Sequence, residues 1–387
     1  MTTFIDNAFN FDIQHPALGL IPLQGASEFA KEVDKYLVSW YNEEAQRQHK
    51  PYHKDTFLID CACPRFSSGE AKALITESVR GLDIYIICDI GNYSIKFNMY
   101  GMQVPMSPDD HYADLKRIIG ALGGKAANIS IVMPILYGGR QHRRTARESL
   151  DCAMMLQELE AMGVKEVITF DAHDPRVQNA TPLIGFDNFM PPYQMMKALL
   201  THFDDIELDK DHAMFVSPDE GAMGRNIYYA SVLGLNLGMF YKRRDYSTIV
   251  DGRNPIVAHE YIGVSVSGFD VFVADDIIAT GESVISIAEK LKRMGAKRVF
   301  IIATFGLFTD GIQKFRKAFE DGLFTAVIST NLTYTSPEVM AEPWFISADM
   351  CKFMAYIISA CNQQNSVSRL LDPHDKICEL IDNHKKK

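Results

Sequence analysis

A chain of 387 residues with 47% hydrophobic and 23% charged residues has the composition of a folded protein with room for two domains, and not of a disordered one. Its formal net charge of −10 argues against general nucleic-acid binding. No apolar run approaches the length of a bilayer span, the start Met1-Thr2-Thr3-Phe4-Ile5-Asp6 lacks a basic, apolar leader, and seven dispersed cysteines suit buried reduced thiols, so no membrane partner and a cytoplasmic location are expected.

Strand-like and helix-like segments alternate along the chain. In order, the patterns predict a helix over 28–38, strands over 57–59 and 84–88, a helix over 114–122, a strand over 129–135, a helix over 146–162 and a strand over 167–170. A helix over 192–200, a strand over 214–216, a helix over 226–233 and strands over 237–241 and 271–274 follow. A helix over 284–294, a strand over 299–304 and a helix over 312–320 complete the series. Alternation of this kind argues for an α/β fold of mainly parallel sheets flanked by helices. Residues 40–55, rich in Gln, His and Lys, read as an exposed connection, and 91–111 as an irregular stretch. Gly163-Val164-Lys165-Glu166-Val167 and Gly295-Ala296-Lys297-Arg298-Val299 hint at an internal duplication.

The segment Val271–Ser283 is the most telling. An apolar run ends in Asp275 and Asp276, then Ala279-Thr280-Gly281-Glu282-Ser283 makes a turn, and Val284, Ile287, Ala288 and Leu291 open a helix pattern. A parallel strand delivers such a turn to the C-terminal edge of the sheet, where α/β proteins bind ligands. Turn amides, Thr280 and Ser283 at a helix N-terminus suit a phosphate. The two acids beside it suit sugar hydroxyls or a hydrated magnesium ion. Together they make a ribose 5-phosphate site.

Four more strand ends carry polar residues. Tyr137-Gly138-Gly139-Arg140-Gln141-His142-Arg143-Arg144 follows one strand, and such a cationic loop suits a polyphosphate or is a solvated basic loop. Asp171-Ala172-His173-Asp174 follows another and suits a divalent ion, or holds an ordinary hydrogen-bonded histidine. Ser217-Pro218-Asp219-Glu220-Gly221 exposes Asp219 on a turn that is also common for structural reasons. Lys242-Arg243-Arg244 leaves a strand end for the polar stretch 247–255, as a mobile loop closing over a phosphate would, or an ordinary basic run.

With those residues in order, the chain resembles the ribose-phosphate pyrophosphokinase (phosphoribosyl pyrophosphate synthetase) family over roughly residues 64–335. Arg65-Phe66-Ser67-Ser68-Gly69-Glu70, with Glu77–Gly81 and Asp83, is similar to the segment that reaches the adenine of ATP in a neighbouring subunit. The resemblance thus implies ATP contacts at Phe66, Ser68, Glu70, Arg140, Gln141 and His142, and magnesium near Asp171, His173 and Asp219. It implies catalytic roles for Lys242 and Arg244, and ribose 5-phosphate contacts at Asp275, Asp276, Ala279, Thr280, Gly281, Glu282 and Ser283. It also implies two phosphoribosyltransferase-like domains, 1–186, with the tail 351–387 packed on it, and 187–350, in a homo-oligomer, commonly a hexamer. The implied reaction joins ATP and ribose 5-phosphate to give phosphoribosyl pyrophosphate and AMP. Three departures stand out: the phosphate turn has Ala279 for an aspartate and Glu282 for a small residue, and His142 replaces the aspartate of an Arg-Gln-Asp triplet. They leave open a catalytically weak regulatory homologue, while the 271–283 motif alone is shared with a type I phosphoribosyltransferase.

Overall fold

The structure, a computed structural model, describes residues 9–11, 15–244 and 256–385, with the backbone alone for 242–244 and 256–259. The chain forms two compact units. The first runs to Met190 and includes Asn331–Tyr334 and Asp349–Asp372; the second is Pro191–Thr330, Thr335–Ala348 and the chain from Pro373 onward.

Unit 1 is built on five parallel strands. They stand in the order β1 (Leu18–Pro22), β4 (Asp83–Ile87), β7 (Asn128–Val132), β8 (Glu166–Phe170) and β9 (Gly185–Phe189). Two antiparallel hairpins complete the count, β2 (Cys61–Ala62) with β3 (Leu74–Ile75), and β5 (Lys96–Met99) with β6 (Met102–Pro105). Every residue of β4 is buried, as a strand covered on both faces requires. Helices α2 (Pro108–Leu122) and α3 (Asp151–Ala161) place Leu115, Ile118 and Leu156 against Ile84, Ile86, Ile131 and Val167. Helix α1 (Ser27–Arg47) packs on α9 (Cys351–Asn362), with Trp40 stacked on Tyr356 at 4.5 Å between ring centroids.

Two expectations change here. Residues 40–47 are helix, not exposed connection: Trp40 and Ala45 are buried, while Glu44 and Arg47 pair on the outer face. Their polarity is that of the solvent side of an amphipathic helix. Residues 91–111 are also ordered. Tyr100 and Gly101, with φ of 49° and 78°, turn the β5–β6 hairpin. Ser107 then caps α2 in a reciprocal capping box with Asp110, and Pro108 follows. The expected strand over 57–59 reduces to a single bridge from Leu58 to Leu20.

Unit 2 carries a seven-stranded sheet in the order β12 (Ile256–Ile262), β11 (Asn236–Arg244), β10 (Ala213–Ser217), β13 (Asp270–Ile278), β14 (Arg298–Gly306), β15 (Ala326–Thr330) and β16 (Phe345–Ala348). The β11–β12 pair is antiparallel and the other pairings are parallel. Side chains alternate along β13. Val271 and Val273 join Leu291, Ile301 and Phe315 in one core, while Phe272 and Ala274 join Leu199, Phe300 and Ile302 in the other. The covering helices are α4 (Pro192–His202), α5 (Met223–Leu233), α6 (Glu282–Arg293) and α7 (Gln313–Glu320); α8 (Pro337–Met340) and α10 (Ser368–Leu371) are single turns. The tail divides between the units. From Pro373 it forms α11 (His374–His384), whose Ile377 and Ile381 are buried beside Leu199 and Tyr229 of unit 2, because its apolar stripe meets α4 and α5.

From β10 the chain proceeds outward through β11, and from β13 in the opposite direction through β14 to β16. The strand order therefore reverses between β10 and β13, the kind of place where a ligand crevice opens in a doubly wound sheet.

Candidate active site

Both strands at this reversal end in predicted site residues. Asp275 and Asp276 lie in the last third of β13, which runs four residues past the predicted Ala274 because the backbone stays extended after the apolar run stops. Asp276 is buried and Asp275 half-buried. The Asp276 N–H donates to Asp275 Oδ1 at 2.9 Å, and the Ile277 N–H to Asp276 Oδ1 at 2.9 Å. Burial, and then the charge of Asp276, push the Asp275 carboxyl well above the usual carboxylate range. Arg225 opposes this from 3.7 Å away, itself almost enclosed. Two adjacent carboxylates sharing one arginine retain affinity for a cation or for hydroxyl donors.

Ala279, Thr280 and Gly281 make the turn that follows, and α6 starts at Glu282 with no side chain capping it. Its first amides are thereby left to a ligand. Gly281 has φ of 80°, and a Cβ there would stand 2.2 Å from the ring of Phe315, a core residue. Replacing Gly281 by alanine is expected to destabilise the chain by roughly 1–3 kcal/mol, from overpacking and a disfavoured φ. A chemical-denaturation midpoint equal to that of the wild type would contradict this. The Glu282 carboxylate, mostly exposed, bonds Lys314 Nζ at 2.6 Å. Its charge is therefore answered by a lysine, which removes the objection to an acid in a phosphate turn. Ser283 is exposed.

At the end of β10, Ser217 Oγ donates to the main-chain oxygen of Asp219 at 2.7 Å, and Asp219 Oδ1 accepts the Ala222 N–H at 3.1 Å. Asn226, fully buried, donates to Ala274 O at 2.8 Å and to Ala222 O at 2.8 Å, and accepts the Ala274 N–H at 3.2 Å. It pins α5 to β13 one residue before the acid pair. Neither Arg225 nor Asn226 is predicted from the sequence, where both look like ordinary members of a helix.

Lys242 and Arg244 do not leave the sheet as expected. They continue β11, opposite His259 and Ile256 of β12, with a register shift between Arg243 and Arg244. The cross-strand partner lies beyond the polar stretch 247–255, which hid the pairing; that stretch is outside the described residues.

In unit 1, Arg140, Gln141 and His142 follow β7 on a loop shaped by Gly138. Gly138 has φ of 65°, a Cβ there would lie 2.9 Å from Cys152 N, and Gly138 O accepts the Gln141 N–H at 2.7 Å. Arg140 is exposed; Gln141 and His142 are partly buried. After β8, buried Asp171 adopts φ of 42° and donates its N–H to Phe189 O at 2.9 Å, while His173 is exposed. The two loops meet, with the His142 and His173 rings 5.3 Å apart. In the first loop of the unit, Phe66 is 54% exposed and Ser68 Oγ donates to Glu70 at 3.0 Å. Arg65 is structural: it pairs with Asp114 through two bonds of 2.6 and 2.9 Å and lies over Phe97.

The predicted metal residues divide between the units, Asp171 and His173 in the first and Asp219 in the second. Among the described residues, three-residue groups with ligand atoms within 4.8 Å are Glu166–Asp187–Cys361 and Glu207–Asp209–His212, neither of which includes them.

Residues 18–163 match the family model for the N-terminal domain of ribose phosphate pyrophosphokinase, and residues 195–322 match that of the phosphoribosyl transferase domain. The chain is 30% identical over 319 residues to a ribose-phosphate pyrophosphokinase of Shewanella oneidensis, covering 81% of this chain and 91% of that protein. The chain belongs to the ribose-phosphate pyrophosphokinase family. A ribose-phosphate pyrophosphokinase of Vibrio parahaemolyticus is 29% identical over 321 residues, covering 81% and 92%. The crystal structure of phosphoribosylpyrophosphate synthetase from Mycobacterium smegmatis aligns with a TM-score of 0.70 at 20% identity, over 90% of this chain and 100% of that one. That likeness establishes the shared two-domain fold. Within the ribose-phosphate pyrophosphokinase family, Ala279, Glu282 and His142 are this chain's own departures.

Proposed function

We infer that the chain is a ribose-phosphate diphosphokinase that supplies nucleotide biosynthesis. The C1 hydroxyl of ribose 5-phosphate attacks the β-phosphorus of ATP and loses its proton. The bond from that phosphorus to the oxygen bridging the α-phosphate breaks, and AMP leaves with the bridging oxygen. The observation that carries this reading is the Asp275–Asp276 pair beside the uncapped Gly281 turn, at the strand-order reversal of unit 2. The family relationship supports the pyrophosphoryl donor.

Phosphoryl-type transfers depend on alignment and charge neutralisation more than on covalent help. Asp275 and Asp276 hold the 2- and 3-hydroxyls, where their combined charge favours hydroxyl donors. Ala279, Thr280, Gly281, Glu282 and Ser283 hold the 5-phosphate, mainly through main-chain N–H groups, with the Glu282 carboxylate turned to Lys314. Arg140, Gln141 and His142 take the ATP phosphates. Phe66, Ser68 and Glu70 reach the adenine of a neighbouring subunit's ATP in a homo-oligomer; the exposed Phe66 ring supports that role. Lys242 and Arg244 counter the charge that grows on the pyrophosphoryl group.

Magnesium fits the donor set, because the half-neutralised acid pair and Asp219 offer hard oxygens. Asp171, His173 and Asp219 are the residues proposed to hold it. When bound, it supplies charge neutralisation on the ATP phosphates. AMP formation that requires ribose 5-phosphate tests the proposal. AMP formed without ribose 5-phosphate, or pyrophosphate released from phosphoribosyl pyrophosphate and a base, would point elsewhere.

A further inference from the structure

His142 has two ring nitrogens in different surroundings. Nε2 lies 3.6 Å from a carboxylate oxygen of Asp174. That carboxylate is fixed by the Arg176 main-chain N–H at 3.0 Å and by the Arg176 guanidinium. Nδ1 is buried and has no hydrogen-bond partner. A carboxylate beside one imidazole nitrogen draws the ring proton to that side and leaves the lone pair on the other. A buried lone pair without a donor is costly, and such groups ask for an ion or a ligand that completes them. Carboxylate, imidazole and an open second nitrogen in series is how metal-ligating histidines are commonly oriented. The His173 ring, on the neighbouring loop, is 5.3 Å away between centroids. That is close enough for both rings to reach one ion through bonds of about 2.0–2.1 Å.

We propose that His142 Nδ1 is a second nitrogen ligand, beside His173, for the divalent cation that accompanies ATP. This rests on reading the Arg140–His142 loop as an ATP site. Among the described residues no third protein donor converges with the two rings, so ATP phosphate oxygens and water complete the shell. The consequence is a shift in cation preference. Magnesium is hard, sheds water reluctantly and favours oxygen ligands, whereas imidazole favours later first-row ions. Where its relatives carry an aspartate oxygen, this chain offers nitrogen and tilts the site from Mg2+ toward Co2+.

Electron spin-echo spectra of the full-length chain with Mn2+ and ATP count the ligating imidazoles. The wild type is expected to show nitrogen couplings from two imidazoles, and His142→Asp, which restores the relatives' residue, from one. One imidazole or none in the wild type overturns the proposal, and that reading requires no variant to fold. Calorimetric titration of Co2+ and of Mg2+ in the presence of ATP gives a second readout. The ratio of the two affinities, Co2+ over Mg2+, is expected to fall roughly tenfold or more in His142→Asp; an unchanged ratio overturns the proposal. Product formation is scored apart. Turnover of ATP and ribose 5-phosphate with one bound imidazole removes this inference and leaves the diphosphokinase standing, whereas two imidazoles without turnover support the ligand and sink the activity.

Discussion

Alanine at position 242 is expected to cut turnover at least about a hundredfold, because removing one preorganised donor from a developing charge typically costs about 2.7–4 kcal/mol. Lys242 lies on β11 opposite His259, on a two-stranded extension of the sheet toward residues 245–255. A lysine there can act at the reacting phosphate without serving either hydrophobic core of unit 2. The melting temperature should therefore stay near that of the wild type while kcat collapses and both Michaelis constants change little, the pattern of an interaction made in the transition state alone. Steady-state kinetics beside a thermal melt check this. A loss of turnover below about fivefold would remove Lys242 from the catalytic group.

Replacing Asp275 by asparagine should weaken the ribose 5-phosphate site and strengthen the fold. The carboxylate offers charge-assisted bonds to sugar hydroxyls, and losing one costs about 1.5–3 kcal/mol. The Michaelis constant for ribose 5-phosphate should thus rise about tenfold or more, with that for ATP changing far less. Stability moves the other way. In the folded chain Asp275 holds its proton more tightly than in the unfolded chain, where a carboxyl titrates near about 3.9. The folded state therefore binds more protons across the interval above that value, and stability from this group falls as pH rises toward the raised folded value. Asparagine has no charge to lose. The variant is expected to melt above the wild type at about pH 9, with the gap closing toward about pH 4. Melts across that range together with substrate kinetics decide the matter. A larger effect on ATP than on ribose 5-phosphate would overturn the sugar assignment. A variant that melts below the wild type at high pH would make Asp275 a structural residue.

Opposite effects on binding and stability are what a strained functional pair gives, and the pair was legible. The run Val271–Ala274 into two acids, the turn at Gly281 and the apolar stripe of α6 are local patterns, and the α/β class follows from their repetition. Elements without a local pattern were not read. The β9 sequence Gly185-Phe186-Asp187-Asn188-Phe189 carries glycine and two strand-poor residues and is held by its pairing with β8. Helix α1 runs past Val38 because Trp40 and Ala45 find partners the sequence does not reveal. Arg225 and Asn226 gain their roles from the packing of α5 on β13. The meeting of His142 with His173 joins two loops from separate strand ends, and no spacing rule links them.

Phosphorus NMR of the purified chain with ATP, magnesium and ribose 5-phosphate tests the central claim most directly. The account predicts the appearance of AMP together with a pyrophosphoryl group on C1 of the sugar phosphate. Folded protein that binds both substrates and yields neither product would contradict it, and would shift the chain to a regulatory role within its family.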